Sequence, residues 1–473
     1  MFQRILQWIR EVLQKMIGTT SVQKALNVDI ALSSDMASAL TLWSQMYENG
    51  APWLNKDISS LSLPAAIAGE IARAVTIEMA VTIEGSPRAD YLAEQLERIL
   101  PKLREKIEQG CAKGGLMMKP YIAGDQITVD FVQADQFYPV SFDANGNITA
   151  CVFADQRTIG RDYCKRLEYH TMTPAGYVIR NMAFKSSVKD ELGNQVSLGV
   201  VKDWAELKPE ATIIGIEKPL FAYFRYPQAN NVDPSSPLGV SCYSRATDLI
   251  KDADKQWSKL LWEFESGERA MYVDVDAFQK DTDGKPILPN KRLYRTLNAT
   301  GEIGEANKLF DEWTPTLREL NFLNGLDAIL RKVEFNCGLA YGTLSNPATV
   351  EKTATEIAAS KQRSMATIVD AQKSLQSALE QLLWAIDVWT TLGKGPGQPL
   401  APKGPYQVTF DFDDSLIVDS EARFSQDQRT VNMGAMPKYL FLMRNYGLDE
   451  VTAKRWVAEK QEETPPIDLF GGA

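Results

Sequence analysis

One stretch constrains this 473-residue chain more than any other. Thr353-x-x-Glu356 has the form of a capping box, in which hydroxyl and carboxylate each satisfy a backbone N–H of the first helical turn. Apolar residues continue to Leu392, and Gly393 to Pro405, with four Gly and four Pro, ends the pattern. The later positions Leu375, Leu379, Leu382, Ile386 and Trp389 alternate four and three, as a packed seam does. The spacing predicts the longest helix of the chain. Its seam would serve either a surface between subunits or, the commoner use of such stripes, the chain's own core.

The remaining sequence changes texture twice. Up to about residue 113 it reads as helical: Asp35 to Asn49 stopping at Gly50, Leu63 to Ile83 stopping at Gly85, and Ala89 to Gly110 with a kink or break at Pro101. From Leu116 to Phe224 it reads as β-rich. Met117–Ile122 and Gln126–Val132 form one expected hairpin, and Phe137–Phe142 and Ile148–Ala154 flank the strong turn signal Asn145-Gly146. Leu167–Met172 and Gly176–Met182 form a third. Two helices follow, Ser241 to Ser266 and Thr316 to Ala340, the second opened by the capping-box form Thr316-x-x-Glu319. Between them, Met271–Val275 and Leu293–Thr296 suggest a small β tip. Tyr406 to Ile417 reads as a strand, and Ser420 to Glu462 as a helical module. The class is α+β, predominantly helical, in several structural units.

Composition removes whole chemistries. There is one histidine, His170, so no multi-His metal centre and almost no choice of imidazole base for a nucleophile. The five cysteines contain no C-x-x-C pair and read as buried thiols. A net charge of −10 disfavours a clamp that depends on neutralising phosphates, though not a protein that lets DNA slide past. Met1 to Gly18 is one face of an amphipathic helix suited to a partner or a core, and Leu63 to Ile83 carries Glu70, Arg73 and Glu78, which disqualifies it as a membrane span. Gly393-Lys394-Gly395-Pro396-Gly397 follows a helix and lacks phosphate-loop spacing. No cofactor is expected. The acids Asp411, Asp413, Asp414, Asp419 and Glu421 could hold a divalent cation, but Phe410 and Phe412 on the opposite face make a half-buried strand followed by capping acids the simpler reading. Lys352, Lys361 and Arg363 read as a solvated helix face that could meet a phosphate backbone.

Five local sequences stand out in order: Trp43…Tyr47…Pro52-Trp53; Gly114-Gly115-Leu116-Met117-Met118-Lys119-Pro120 with Ala134 to Pro139; Gly239-Val240-Ser241 with Ala246, Ile250, Asp254 and Glu263 through Gly267; Lys352 to Ile357; and Phe410 to Asp419. These sequences, in the order of elements described, resemble the portal (head-to-tail connector) proteins of tailed double-stranded DNA bacteriophages, in the branch of Gram-positive-host siphophages and myophages. They cover roughly residues 35 to 460.

The resemblance implies a non-enzymatic ring, usually of twelve subunits, at one capsid vertex, through which DNA is packaged and ejected. It implies an N-terminal helix and arm at 1–34, a wing at 35–240, a first stem helix at 241–267 and a clip at 268–313. A second stem helix would follow at 314–343, a tunnel loop at 344–353, a long helix at 354–393, a linker and wing strand at 394–419, and a crown and tail at 420–473. Asn346, Thr349, Lys352 and Thr353 would face DNA in the tunnel, contacting backbone rather than bases. Asp281, Asp283, Lys285, Lys291 and Arg292 of the clip would meet the terminase and then the head-completion adaptor. The major capsid and scaffolding proteins complete the expected partners, with assembly in the host cytoplasm, residence in the virion and no membrane. A non-portal scaffold or adaptor, and more remotely a metal-dependent nuclease using the acids from Asp411 to Glu421, are the alternatives.

Overall fold

The computed structural model describes residues 20–124, 126–189, 191–274, 279, 283, 294–297, 310–347, 354–393, 395, 397–412 and 420–462. It is mixed, 45% helical and 23% strand. By contacts the chain divides into two units, Met1–Ile77 with Thr82–Thr409 and Glu78–Val81 with Phe410–Ala473.

The larger unit begins with α1 (residues 20–26) and α2 (Ser34–Tyr47). Ser33 caps α2 by accepting the Met36 N–H, and the helix stops at Tyr47 with the left-handed residue beyond its C-cap Glu48 at Asn49 rather than at Gly50. Asn49 takes the left-handed conformation (φ 56°), which a short amide side chain tolerates, and Gly50 N–H returns to the Gln45 carbonyl. The helix expected over Leu63 to Ile83 is shorter: α3 is Leu63–Thr76, and Met79–Glu84 is strand β1. Val81, Thr82 and Ile83 are β-branched, which favours a pleated strand over continued helix. The expected break near Pro101 is present. Helix α4 (Pro87–Glu97) ends before α5 (Leu100–Lys113), and Pro101 sits in the first turn, where a missing N–H costs nothing.

All three expected hairpins form. β2 (Gly115–Ala123) pairs with β3 (Gln126–Gln133), β4 (Phe137–Phe142) with β5 (Ile148–Ile159), and β6 (Asp162–Thr173) with β7 (Gly176–Ser186), each antiparallel. β4 to β7 continue into β8 (Asn194–Val196) as one sheet, with β9 (Glu210–Ile213) also on β7, while β10 (Ala222–Arg225) joins β2. Helix α1 and the segment after it close one face of the larger sheet: Val22 and Leu26 of the helix and Ile30 beyond it pack on Val152, Leu167 and Phe184.

Helix α6 spans Thr247–Ser266 after a short 3-10 turn, later than the expected Ser241. Residues 239 to 243 are held instead against the end of α5. Cys242 N–H donates to the Cys111 carbonyl, and Gly114 and Gly239 lie backbone on backbone, a Cβ on Gly114 falling 2.6 Å from the Gly239 carbonyl oxygen. The tip is a three-stranded sheet in the order β12 (Tyr294–Leu297), β11 (Ala270–Asp274), β13 (Phe310–Trp313), with β11–β12 parallel and β11–β13 antiparallel. The sequence gives no strong signal for β13. Helix α7 is Glu319–Cys337, so the expected capping box at Thr316 does not form. Its place is taken by Glu263 of α6, which accepts the Arg318 backbone N–H at 3.1 Å.

Helix α8 (Ala354–Leu392) is the longest, 39 residues or about 58 Å. Leu375, Leu379, Leu382 and Ile386 are fully buried, and α8 packs against β10, β2, α3 and α4. The seam is the chain's own core, the commoner of its two expected uses. β14 (Gln407–Phe412) forms a two-stranded sheet with β1; the rest of the expected strand, to Ile417, lies outside the described residues. The C-terminal module is helical as expected: α9 (Ser420–Asn432), α10 (Lys438–Tyr446) and α11 (Glu450–Glu462), with Phe424 against Phe441 at 5.3 Å between ring centroids.

Candidate functional site

Helices α6 and α7 are antiparallel neighbours carrying the small sheet at their far ends. Near that end Glu263, buried on α6, forks onto Arg318: Nε to Oε1 at 3.0 Å and Nη2 to Oε2 at 2.7 Å. The Arg318 hydrogen bond holds the Glu263 carboxyl below its ordinary range, against the opposing effect of burial. Midway, Gln256 Nε2 donates to the Phe322 carbonyl at 3.4 Å. On the other side of α6, buried Asp254 accepts Trp53 Nε1 at 2.9 Å and Leu61 N–H at 2.8 Å, strapping residues 53–61 to the helix. Burial raises the Asp254 carboxyl despite those two donors.

The return from α7 to α8 is held by two carboxylates of α7. Gly338, left-handed at φ 71°, ends the helix. The chain then runs back along it, and Glu334, wholly buried, receives the segment. Its Oε1 accepts the N–H groups of Gly342 (3.1 Å), Leu344 (2.6 Å) and Ser345 (2.8 Å), and its Oε2 accepts the Ser345 hydroxyl at 2.9 Å. Seven residues earlier, Asp327 accepts the Asn346 N–H at 2.7 Å and pairs with Arg331. Residues 342–346 are therefore fixed at two levels on one face of α7, a separation of two helical turns. The guanidinium of Arg363 on α8 lies 4.4 Å above the Phe335 ring and 5.7 Å from that of Tyr341.

Of the expected tunnel-loop residues, Asn346 is exposed at the end of this strap; Thr349, Lys352 and Thr353 lie outside the described residues. Of the clip residues, Asp283 is described and exposed, while Asp281, Lys285, Lys291 and Arg292 lie outside. Lys361 is exposed, and Arg363 is engaged with aromatic rings rather than lying on a solvated face. In the acidic cluster Asp411 is exposed, and the placement of Asp413, Asp414 and Asp419 and the side chain of Glu421 are not described. Among the described residues, no three His, Cys, Asp or Glu side chains are grouped as a metal ion requires, and no helix is long and apolar enough to cross a membrane. All five cysteines are free and buried, as expected.

His170 is a satisfied buried histidine. Its Nδ1 meets Tyr177 Oη at 2.7 Å and its Nε2 meets Glu168 at 2.8 Å, while Lys119 (2.5 Å) and Arg166 (3.1 Å) converge on the same carboxylate. Burial would raise Glu168, but Lys119, His170 and Arg166 together hold it well below the carboxylate range. Burial lowers His170, against the pull of Glu168. The Tyr177 hydroxyl in turn accepts the Leu220 N–H at 3.1 Å, so the network locks β6 and β7 to the chain leading into β10. Neither this network nor the Glu334 strap was visible in the sequence, where each acid is one of 61.

Several of the residues that carried the resemblance are tie points of the fold. Trp43 supplies the carbonyl that accepts the Tyr243 hydroxyl at 2.9 Å, and Trp53 meets Asp254. Asp135 accepts from Lys113 Nζ at 2.8 Å and Ser44 Oγ at 3.0 Å. These buried polar side chains join elements of one fold. The family model described as "Phage portal protein, SPP1 Gp6-like" matches residues 98–466, and the chain belongs to that family. Its role is accordingly a portal-type, structural one. Among solved structures, 55 chains match. One, from the "Neck of native GTA particle computed with C12 symmetry", is 14% identical, covers 91% of this chain and 98% of that chain, and has a TM-score of 0.43. No curated protein matches.

Proposed function

We propose that the chain is the portal subunit of a tailed phage of the Gram-positive-host branch, and that it closes into a ring, of twelve copies in the virion, through which double-stranded DNA is packaged and ejected. The observation that carries this reading is the family match over residues 98–466. In this reading residues 35–240 are the wing, α6 and α7 the stem, and 268–313 the clip that docks terminase and then the adaptor. Residues 344–353 are the tunnel loop and 420–473 the crown and tail.

The Glu334 strap suits that assignment. A loop beside moving DNA needs one fixed end, and the carboxylates of Glu334 and Asp327 hold residues 342–346 on a rigid helix. Asn346 and the proposed Thr349, Lys352 and Thr353 would touch backbone only, since the net charge of −10 gives the chain no general hold on a polyanion. Mass photometry followed by negative-stain imaging tests the reading. The expected result is a closed ring with a central hole, near ten to thirteen times the 52.8 kDa subunit mass. An open or two-fold assembly persisting at high concentration would overturn it.

A further inference from the structure

Three of the five cysteines, far apart in sequence, meet at one joint of the larger unit. Cys111 lies in the last turn of α5, Cys242 on the segment that leads into α6, and Cys337 at the C-terminal end of α7. All three are fully buried. Tyr226, also wholly buried, stands among them, its backbone N–H donating to the Gly114 carbonyl at the end of α5 at 3.0 Å. Burial pushes its phenol well up, and the thiols of Cys242, Cys111 and Cys337 push the same way. Its hydroxyl finds no hydrogen-bond partner among the described residues.

Cys111 and Cys242 are the close pair. The Cys111 carbonyl is one of the last of α5, free of a helical partner, and it accepts the Cys242 N–H at 2.9 Å. With standard bond lengths and the bend at the carbonyl carbon, the two Cα atoms stand no more than about 6.8 Å apart. A disulfide spans about 4.4–6.8 Å between Cα atoms. Burial raises the Cys242 thiol, and of its neighbours Cys111 adds most to the rise, then Cys337. Cys337 arrives on a different helix and is the built-in competitor.

We propose that Cys111 and Cys242 form an oxidation site, at which a small peroxide joins them in a disulfide that staples the end of α5 to the chain entering α6. The Cys242 thiolate attacks one peroxide oxygen and breaks the O–O bond, giving a sulfenic acid and, with a proton, water. The Cys111 sulfur then attacks the Cys242 sulfur, forms the S–S bond and expels the hydroxyl as a second water. The two thiols lose two electrons and two protons, and the peroxide takes them up. The Tyr226 hydroxyl is a donor without another partner for the departing oxygen. Burial keeps both thiols poor nucleophiles, so the native protein oxidises slowly, and it shields the finished bond from large reductants. The bond closes the long loop 112–241 and so restricts the unfolded chain. Its occasion, release of a particle from a reducing cell into an aerobic medium, rests on the portal reading above; the pairing does not.

The test uses the full chain. One sample is refolded from urea in mixed reduced and oxidised glutathione, where access does not limit the exchange; another is held native in hydrogen peroxide for hours to days. Remaining thiols are blocked, and peptides are mapped by mass spectrometry without reduction. Both samples should carry one link, Cys111 to Cys242, and melt about 5 °C higher than the reduced protein. Cys242→Ser and, as a second variant, Cys111→Ala should show neither link nor shift. Five free thiols after refolding, or a link that includes Cys337, would overturn the proposal. So would a link that refolding forms and peroxide never forms in the native protein. Rings seen by mass photometry with all thiols free would sink the staple and leave the portal reading intact; a Cys111–Cys242 link in a chain that makes no ring would uphold the site and remove its occasion.

Discussion

Replacing Glu334 by alanine isolates what the strap contributes. The substitution strands the N–H groups of Leu344 and Ser345 and the Ser345 hydroxyl, which end on one carboxylate, and leaves the Gly342 N–H only its second acceptor, Ser345 Oγ at 3.2 Å. A hydrogen bond to a charged acceptor contributes about 1.5–3 kcal/mol, and a buried donor left bare costs about 1–3 kcal/mol. These do not add, because the segment can lift off and hydrate once its acceptor is gone. The local loss is therefore about 3–5 kcal/mol rather than the sum. Glutamine keeps the shape. Its carbonyl oxygen can still accept the three N–H groups, and its amide faces a Ser345 hydroxyl free to turn and accept, so Glu334→Gln should cost only about 1–2 kcal/mol. Hydrogen exchange of residues 342–346 reads the difference directly. Alanine should speed exchange there by roughly a hundredfold or more and glutamine by about tenfold, with the β-sheet amides unchanged. Equal exchange in wild type and alanine variant, or equal effects of alanine and glutamine, would show that the carboxylate does not hold the strap.

Three further outcomes follow from the same contacts. Glu168 and His170 both sit below their ordinary values, so at these two groups the unfolded chain binds more protons; their contribution to stability is present above pH 6.5 and should fall first as His170 meets protons, then below 4.5 as Glu168 does. Urea midpoints measured from pH 8 to 4 should show that decline, and His170→Asn should flatten its upper part. Gly239→Ala places a methyl group into the Gly114 carbonyl and should cost about 3 kcal/mol or more, read as a fall in melting temperature or in soluble yield. Thiol titration with an aromatic disulfide should find all five cysteines slow in the native protein and fast in denaturant, burial having pushed the Cys337 thiol up to about 12.

What the sequence disclosed and what it withheld divide along a physical line. Periodic apolar patterning and turn chemistry repeat within a short window, so three hairpins, the long α8 and the C-terminal helices were legible, and Pro101 marked a helix break. Errors gathered where a distant partner outcompeted a local signal. Thr316-x-x-Glu319 offered a cap of its own, but Glu263, more than fifty residues upstream, took the Arg318 N–H and moved the helix start to Glu319. Ser241 looked like a helix start, but Cys242 was claimed by the Cys111 carbonyl. Tertiary hydrogen bonds leave no periodic trace, and for the same reason Glu334 and Asp327 were invisible, although their seven-residue spacing places them on one helix face.

That division also accounts for why the resemblance could be read from scattered short sequences in a chain without catalytic motifs. Trp43, Trp53, Gly114, Asp135, Gly239, Asp254 and Glu263 are far apart in sequence, yet each takes part in a contact between elements distant along the chain. A buried carboxylate accepting two donors tolerates neither a shorter acid nor an amide of the wrong polarity, and a glycine facing a carbonyl tolerates no side chain. Surface and core positions admit many substitutions of similar volume, whereas these admit few. In a subunit with a structural role the sequence signature is therefore expected at joints. Asp254 makes the point sharply: asparagine could satisfy Trp53 or Leu61 but would turn its amide towards the other donor, so Asp254→Asn should release one end of the 53–61 strap and, with it, one wall of the open groove that strap and α6 enclose beside Trp262.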